Sequence, residues 1–183
     1  MKNFRKFCVE KWGKVEEILY LCPQFIIKEV RMRFFGNIEA KTDAKGRVFL
    51  PAVFRKELMT AGEEVLVMRK DIHQTCLTLY PESVWNEQLD ALNARLNRWN
   101  ATHRQVLRQY MTDVELLTLD GNGRLLLPRR YLQMAGIGQA VLFKGLGDTI
   151  EMWSPDEENK ARMTPDVFAK TIEELMADET AGE

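Results

Sequence analysis

Apolar residues along the chain fall into short runs, each closed by Gly, Pro or Asp, and the runs come in two ordered sets. Asn37-Ile-Glu-Ala-Lys41 alternates polar and apolar positions and predicts a half-buried strand. It leads into Asp43-Ala-Lys-Gly-Arg47 and then Val-Phe-Leu-Pro51. The same order returns as a strand at 114–119, then Asp120-Gly-Asn-Gly-Arg124, then Leu-Leu-Leu-Pro128. The Asp, Gly, Arg and Pro anchors each recur 77 positions later. Val65-Leu-Val-Met68 matches Ala140-Val-Leu-Phe143 at an offset of 75, and Leu77-Thr-Leu-Tyr80 matches Ile150-Glu-Met-Trp153 at 73. An offset that shrinks by twos is what trimmed loops between kept strands produce, so the chain carries an internal repeat.

Each copy predicts β-turn-β-α-β-β. Asp43 and Asp120 open the turns because a carboxylate at that position accepts from the backbone ahead of it. Gly46 and Gly123 supply positive φ without a Cβ clash. Pro51 and Pro128 suit helix starts, predicting helices at 52–59 and 129–134, with Gly62 and Gly136 as C-terminal caps. Between the copies, Trp85, Leu89, Leu92, Leu96 and Trp99 recur at helical spacing as one continuous stripe. The stripe packs either on its own barrel or against another subunit. Thr102 is the expected cap of a second helix whose inner face holds Val106, Leu107 and Tyr110, with Arg104 and Arg108 elsewhere on it. Single modules leave strand edges unpaired, so two copies about a pseudo-two-fold axis are expected to interleave into one closed β-barrel. The fold class is α+β. Its parts are an N-terminal extension (1–31), module 1 (35–82), a helical insert (83–112), module 2 (113–156) and an acidic C-terminal tail or helix (157–183).

Composition alters this picture little. With 183 residues, 45% hydrophobic and 29% charged, the chain reads as an ordinary globular protein. No apolar run is long enough for a membrane helix, and three widely spaced cysteines fit a reducing cytoplasm. Net charge is −1. Residues 1–31 hold seven Lys/Arg against four Glu, and residues 155–183 hold three against nine acids. The middle has 16 basic and 14 acidic residues, so a polyanion partner would be met by a local patch repeated through oligomerisation.

That patch is sought at the two turns, expected to lie near each other on one face. Arg47 and Arg124 project there, Lys45 lies beside one, and Arg129 opens the helix after Pro128. Turn amides and helix N-termini favour phosphate, while an arginine fork pairs with guanine O6 and N7. The pattern therefore points to double-stranded DNA, with Arg47, Lys45, Arg124 and Arg129 as contacts. One such motif is more often a plain hairpin with a solvated arginine. Two matched copies with the trailing Leu-Pro move the balance toward function.

Phe35-Gly-Asn37, Asp43-Ala-Lys-Gly-Arg47 with Leu50-Pro51, Leu77-Thr-Leu-Tyr80-Pro81, Asp120-Gly-Asn-Gly-Arg124 with Pro128, Ala135-Gly136 and Glu151-Met-Trp153 together resemble the MraZ family. The resemblance covers roughly residues 33 to 156. It implies tandem SpoVT/AbrB-like swapped-hairpin modules in a cytoplasmic, nucleoid-associated bacterial transcriptional regulator that assembles into homo-oligomeric rings. It also implies binding to G-rich direct repeats upstream of a division and cell-wall gene cluster, with repression of that cluster. The first-motif arginine, Arg47 here, is the implied chief DNA contact, and Arg124 follows by symmetry. Asn122 departs from the pattern by standing where the first copy has Lys45.

Other chemistries fare less well. His73, Cys76 and His103 are too few and too scattered for a zinc site, so neither metal nor other cofactor is expected. No catalytic or nucleotide-binding fingerprint is present, and each of Asp43 and Asp120 already has a turn role, which argues against a paired-carboxylate enzyme. The alternative function is an antitoxin-like or other protein-interaction module using the acidic tail. Residues 1–31 fit neither copy. Lys28-Glu29-Val30 back-translates to a ribosome-binding sequence just before Met32, so the native start is expected at Met32. A genuine N-terminal arm of net charge +3 is the other reading.

Overall fold

The computed structural model describes residues 32–178; the two readings of residues 1–31 fall outside these described residues. Eight strands and six helices are formed among them: β1 (Asn37–Lys41), β2 (Arg47–Phe49), α1 (Ala52–Ala61), β3 (Val65–Lys70), β4 (Leu77–Pro81), α2 (Glu82–Arg95), α3 (Ala101–Thr112), β5 (Val114–Thr118), β6 (Arg124–Leu126), α4 (Arg129–Met134), β7 (Ala140–Gly145), β8 (Ile150–Trp153), α5 (Pro155–Ala161) and α6 (Pro165–Asp178). The result is a mixed α+β fold.

Strand pairing runs between the copies. One antiparallel sheet has the order β1-β7-β8-β4-β3-β5, and β2 pairs with β6 as a separate two-stranded ribbon. β1 of the first copy binds β7 of the second, as β5 of the second binds β3 of the first. The registers obey the repeat: Asn37↔Lys144 corresponds to Val114↔Arg69, and Arg47↔Leu126 corresponds to Arg124↔Phe49. A pseudo-two-fold axis thus passes through Val48↔Leu125 and Thr78↔Glu151.

The expected closed barrel does not form among the described residues. The sheet is open, ending at β1 and β5, and β2 forms no ladder with β1, only the isolated bridge Thr42↔Val48 just beyond it. The tight turn at 43–46 lifts β2 off the sheet at once, leaving no length for a ladder. Core filling follows the same symmetry. Val48 and Leu125, Leu50 and Leu127, Phe54 and Tyr131, Leu66 and Val141, Met68 and Phe143, Leu77 and Ile150, Leu79 and Met152 are all buried in one cluster. Phe34 meets Phe54 edge-on at 5.7 Å between ring centroids.

The insert packs at one end and departs from expectation at the other. α2 lies on β3 and β4, and Trp85 is buried there, stacked on Tyr110 at 5.5 Å with Arg69 over the far ring at 4.0 Å. The stripe is not continuous, because α2 stops at Arg95 and Trp99 is 97% exposed. Asn100, not Thr102, caps α3: its side chain accepts from the His103 N–H, while His103 Nδ1 accepts from the Asn97 N–H. Asparagine side chains that compete for backbone donors break a helix that apolar spacing alone would continue.

Two glycines at positive φ separate strain from crowding. A Cβ on Gly46 (φ +81°) would sit 2.6 Å from the Leu127 carbonyl oxygen, whereas one on Gly36 (φ +97°) would meet nothing within 4 Å. Gly36→Ala should cost about 1–2 kcal/mol, the left-handed backbone alone. Gly46→Ala should cost more, since the backbone oxygen it meets cannot swing away. Urea unfolding of both variants checks this, and equal losses would contradict the close packing of the turn on Leu127.

Candidate nucleic-acid interface

The site grows from two copies of one turn. Asp43 Oδ1 accepts from the backbone N–H of Lys45 at 2.8 Å and of Arg47 at 2.9 Å, and the Gly46 N–H donates to the Asp43 carbonyl at 3.0 Å. Asp120 Oδ1 accepts from Asn122 at 2.9 Å and Arg124 at 3.0 Å, and the Gly123 N–H reaches the Asp120 carbonyl at 2.8 Å. Each turn is then stitched to the other copy. The Leu127 N–H donates to the Gly46 carbonyl at 2.9 Å and the Leu50 N–H to the Gly123 carbonyl at 3.1 Å.

The second carboxylate oxygen takes the arginine. Arg47 Nε donates to Asp43 Oδ2 at 2.6 Å, with Nη2 equally close. Arg124 Nε donates to Asp120 Oδ2 at 2.8 Å. Each arginine also folds onto the aspartate that starts its turn, and 35% and 24% of the side chains stay exposed. Each aspartate holds its arginine along the Nε side of the guanidinium, with Nη2 of Arg47 drawn onto the same oxygen. Backbone and side-chain hydrogen bonds from Arg47 pull the Asp43 carboxyl down to about 2 from the ordinary 3.8. Asp120 is lowered for the same reasons, the Arg124 backbone bond first.

Pairing places the turns at opposite ends of the ribbon but brings the arginines to one face. Val48 and Leu125 point into the core, so alternation sends Arg47, Phe49, Arg124 and Leu126 to the other side. The Arg124 guanidinium carbon lies 5.7 Å from the Phe49 ring centroid, across the ribbon. Lys45 and Arg129 line one shared groove with Leu126 and Pro128, so a turn of one copy meets a helix start of the other. A different groove, between α1 and the second turn, is lined by Arg55 and Lys56, and Arg55 Nη1 donates to the Asn122 carbonyl at 3.2 Å.

Arg55, Lys56, Phe49 and Leu126 were not among the expected site residues. Phe49 and Leu126 are readable from period-two spacing after Arg47 and Arg124. Arg55 is not, being 67 positions from the carbonyl it binds. His73, Cys76 and His103 stay apart: the His73 N–H donates to Asp71 Oδ1, Cys76 is buried just ahead of β4, and His103 serves the α3 cap. Among the described residues no three His, Cys, Asp or Glu are grouped to hold a metal, and no helix is long and apolar enough to cross a membrane.

These features define a class: an internally duplicated α+β protein whose paired arginine turns share a ribbon built between its two halves. The family described as "MraZ protein, putative antitoxin-like" matches residues 34–109 and 112–161. The chain belongs to the MraZ family. It is 60% identical over 145 residues to the transcriptional regulator MraZ of Phocaeicola vulgatus, covering 79% of this chain and 94% of that one. Its counterparts in Bacteroides fragilis strain ATCC 25285 and Bacteroides thetaiotaomicron are 54% and 53% identical, covering 81% of this chain and 94% and 95% of theirs.

The lowered carboxyl has a sign that can be checked. A depressed folded-state value means that the Asp43–Arg47 tie stabilises the fold above the ordinary carboxyl range and loses that contribution as pH falls toward about 2. Carbon-detected NMR should show Asp43 titrating near 2, and Asp43→Asn should abolish this acid-linked change. A midpoint near 3.8 would mean the tie is absent in solution.

Proposed function

We propose that this protein is a DNA-binding transcriptional regulator whose β2–β6 ribbon and flanking grooves make the DNA contacts. One observation carries the reading: two arginines, each gripped along Nε by its own aspartate, share the exposed face of one ribbon. A guanidinium held that way offers its terminal edge as a fork of the spacing that fits guanine O6 and N7. Lys45 and Arg129, exposed along one groove, take phosphate oxygens and set the register. The relatives named as transcriptional regulators support the same direction.

The finer reading follows the family resemblance. The segments 35–82 and 113–156 act as tandem SpoVT/AbrB-like modules, and copies of the chain join into a ring. The ring presents several ribbons to G-rich direct repeats in the promoter of its own division and cell-wall gene cluster and represses it. The protein works in the cytoplasm, associated with the nucleoid. It needs no cofactor and performs no catalysis. Nearly neutral charge supports the ring, since one small patch binds weakly and linked patches gain by effective concentration. A second reading, docking of a protein partner, draws on α6, where Val167, Phe168, Ile172, Leu175 and Met176 are all exposed.

Two substitutions separate the roles assigned to the site. Arg47→Ala should cost about 1–3 kcal/mol per engaged site and relax the base preference there. Lys45→Ala should weaken binding to all sequences alike and flatten the salt dependence by about one unit of slope. Fluorescence anisotropy against promoter DNA at several salt concentrations distinguishes them. A folded Arg47→Ala protein with unchanged promoter affinity would remove Arg47 from the interface. Raising the number of repeats in the duplex from one to three should tighten binding steeply, and equal affinities would argue against the ring.

A further inference from the structure

The ribbon exposes more than its arginines. Phe49 is 55% exposed and Leu126 59%, although each sits in a strand whose neighbours are wholly buried. Nothing in the core requires them, because Val48 and Leu125 already fill the inner face. They stand on one diagonal of a square whose other diagonal is Arg47 and Arg124, since Arg47 faces Leu126 and Phe49 faces Arg124. No described helix covers this face.

We propose that the exposed face of the β2–β6 ribbon enters the DNA major groove as a unit, with Phe49 and Leu126 contacting thymine C5-methyl groups beside the guanines engaged by Arg47 and Arg124. This rests on the DNA-binding reading above and adds the residues that choose the neighbouring base. A two-stranded ribbon fits the roughly 12 Å major groove, where the thymine methyl is the one apolar marker on any base edge. Residues i and i+2 of a strand lie about 6.8 Å apart. That matches two base steps of about 3.4 Å each, so the Arg–Phe and Arg–Leu pairs keep step with the stack. The occupant follows from charge and chemistry together: two forked cations alternate with two apolar groups over a few ångströms. A purely apolar partner surface would strand the arginines, and a bare phosphate backbone would leave Phe49 and Leu126 in water. The Arg124 guanidinium near the Phe49 ring also links one reader to the other, an arrangement the Arg47–Leu126 pair lacks.

The probe is a duplex selected from a random-sequence pool by the intact protein. Each thymine in it is then replaced, one at a time, by deoxyuridine, which removes only the methyl. The intact protein should bind two of these duplexes roughly fourfold more weakly, the effect of one methyl group returned to water. Phe49→Ser should bind the thymine duplex more weakly by a similar factor and show no further loss with deoxyuridine at one of those positions. Leu126→Ser should do the same at the other, and Phe49→Leu should keep the methyl sensitivity. Both positions are exposed, so thermal unfolding should match the parent protein. A selected duplex indifferent to every deoxyuridine, or full methyl sensitivity in Phe49→Ser, overturns the proposal while leaving DNA binding in place. A change of oligomeric mass in Phe49→Ser with unaltered methyl sensitivity overturns it in favour of a contact between copies. Failure to enrich any duplex removes the DNA-binding reading and this proposal with it.

Discussion

A strand edge must be paired or otherwise protected, and neither copy of this repeat can do that for itself. β1 has no partner within its own copy, and β5 has none within its own; each is completed by the third strand of the other. β2 and β6 are three residues long and find a ladder only in each other. Cross-pairing therefore comes before everything else. It places the axis through Val48 and Leu125, brings fourteen paired core positions into one cluster, and fixes the ribbon on which the arginines stand. Removing one copy would leave the other without a core as well as without a site.

What could be read from the residues was the chemistry that acts over a few positions. Asp, Gly and Arg at fixed spacing in 43–47 and 120–124 specify a closed turn, because every bond in it lies within four residues. Gly62 was legible as a cap for the same reason; it adopts φ 73° after α1. The symmetric pairing was legible through the shrinking offset of the repeat. Separation of the ribbon from the sheet was not, since it depends on where the chain has room, which no local pattern records. The break after Arg95 was hidden because apolar spacing continues through Leu96 and Trp99 while Asn97 and Asn100 take the backbone donors. Arg55 reaching the second turn is a contact of sequence-distant groups that only the folded chain brings together.

The electrostatics of the site run against the usual picture of a nucleic-acid surface. The chain is close to neutral, and the two arginines sit beside carboxylates. Those carboxylates are part of the backbone turn, so they cannot be removed without altering the geometry that holds the guanidinium in place. Attraction at a distance is thereby weakened and orientation at contact is strengthened. A surface of this kind favours discrimination between partners over strength of attraction to any one of them.

Covalent fusion of the two copies also frees them to differ. In a dimer of identical modules every change appears twice, whereas here Lys45 has Asn122 as its equivalent in the second copy, Phe49 has Leu126, and Phe54 has Tyr131. The last difference is anchored: the Tyr131 hydroxyl accepts from Arg130 at 2.8 Å, and Arg130 also binds Glu115 at 2.9 Å. Positions 38 and 53 of the first copy carry Ile and Val instead, so no such polar cluster forms there. The ribbon consequently has a head and a tail. Turned end for end it presents different chemistry to the same surface, and the surface that complements it best lacks two-fold symmetry of its own.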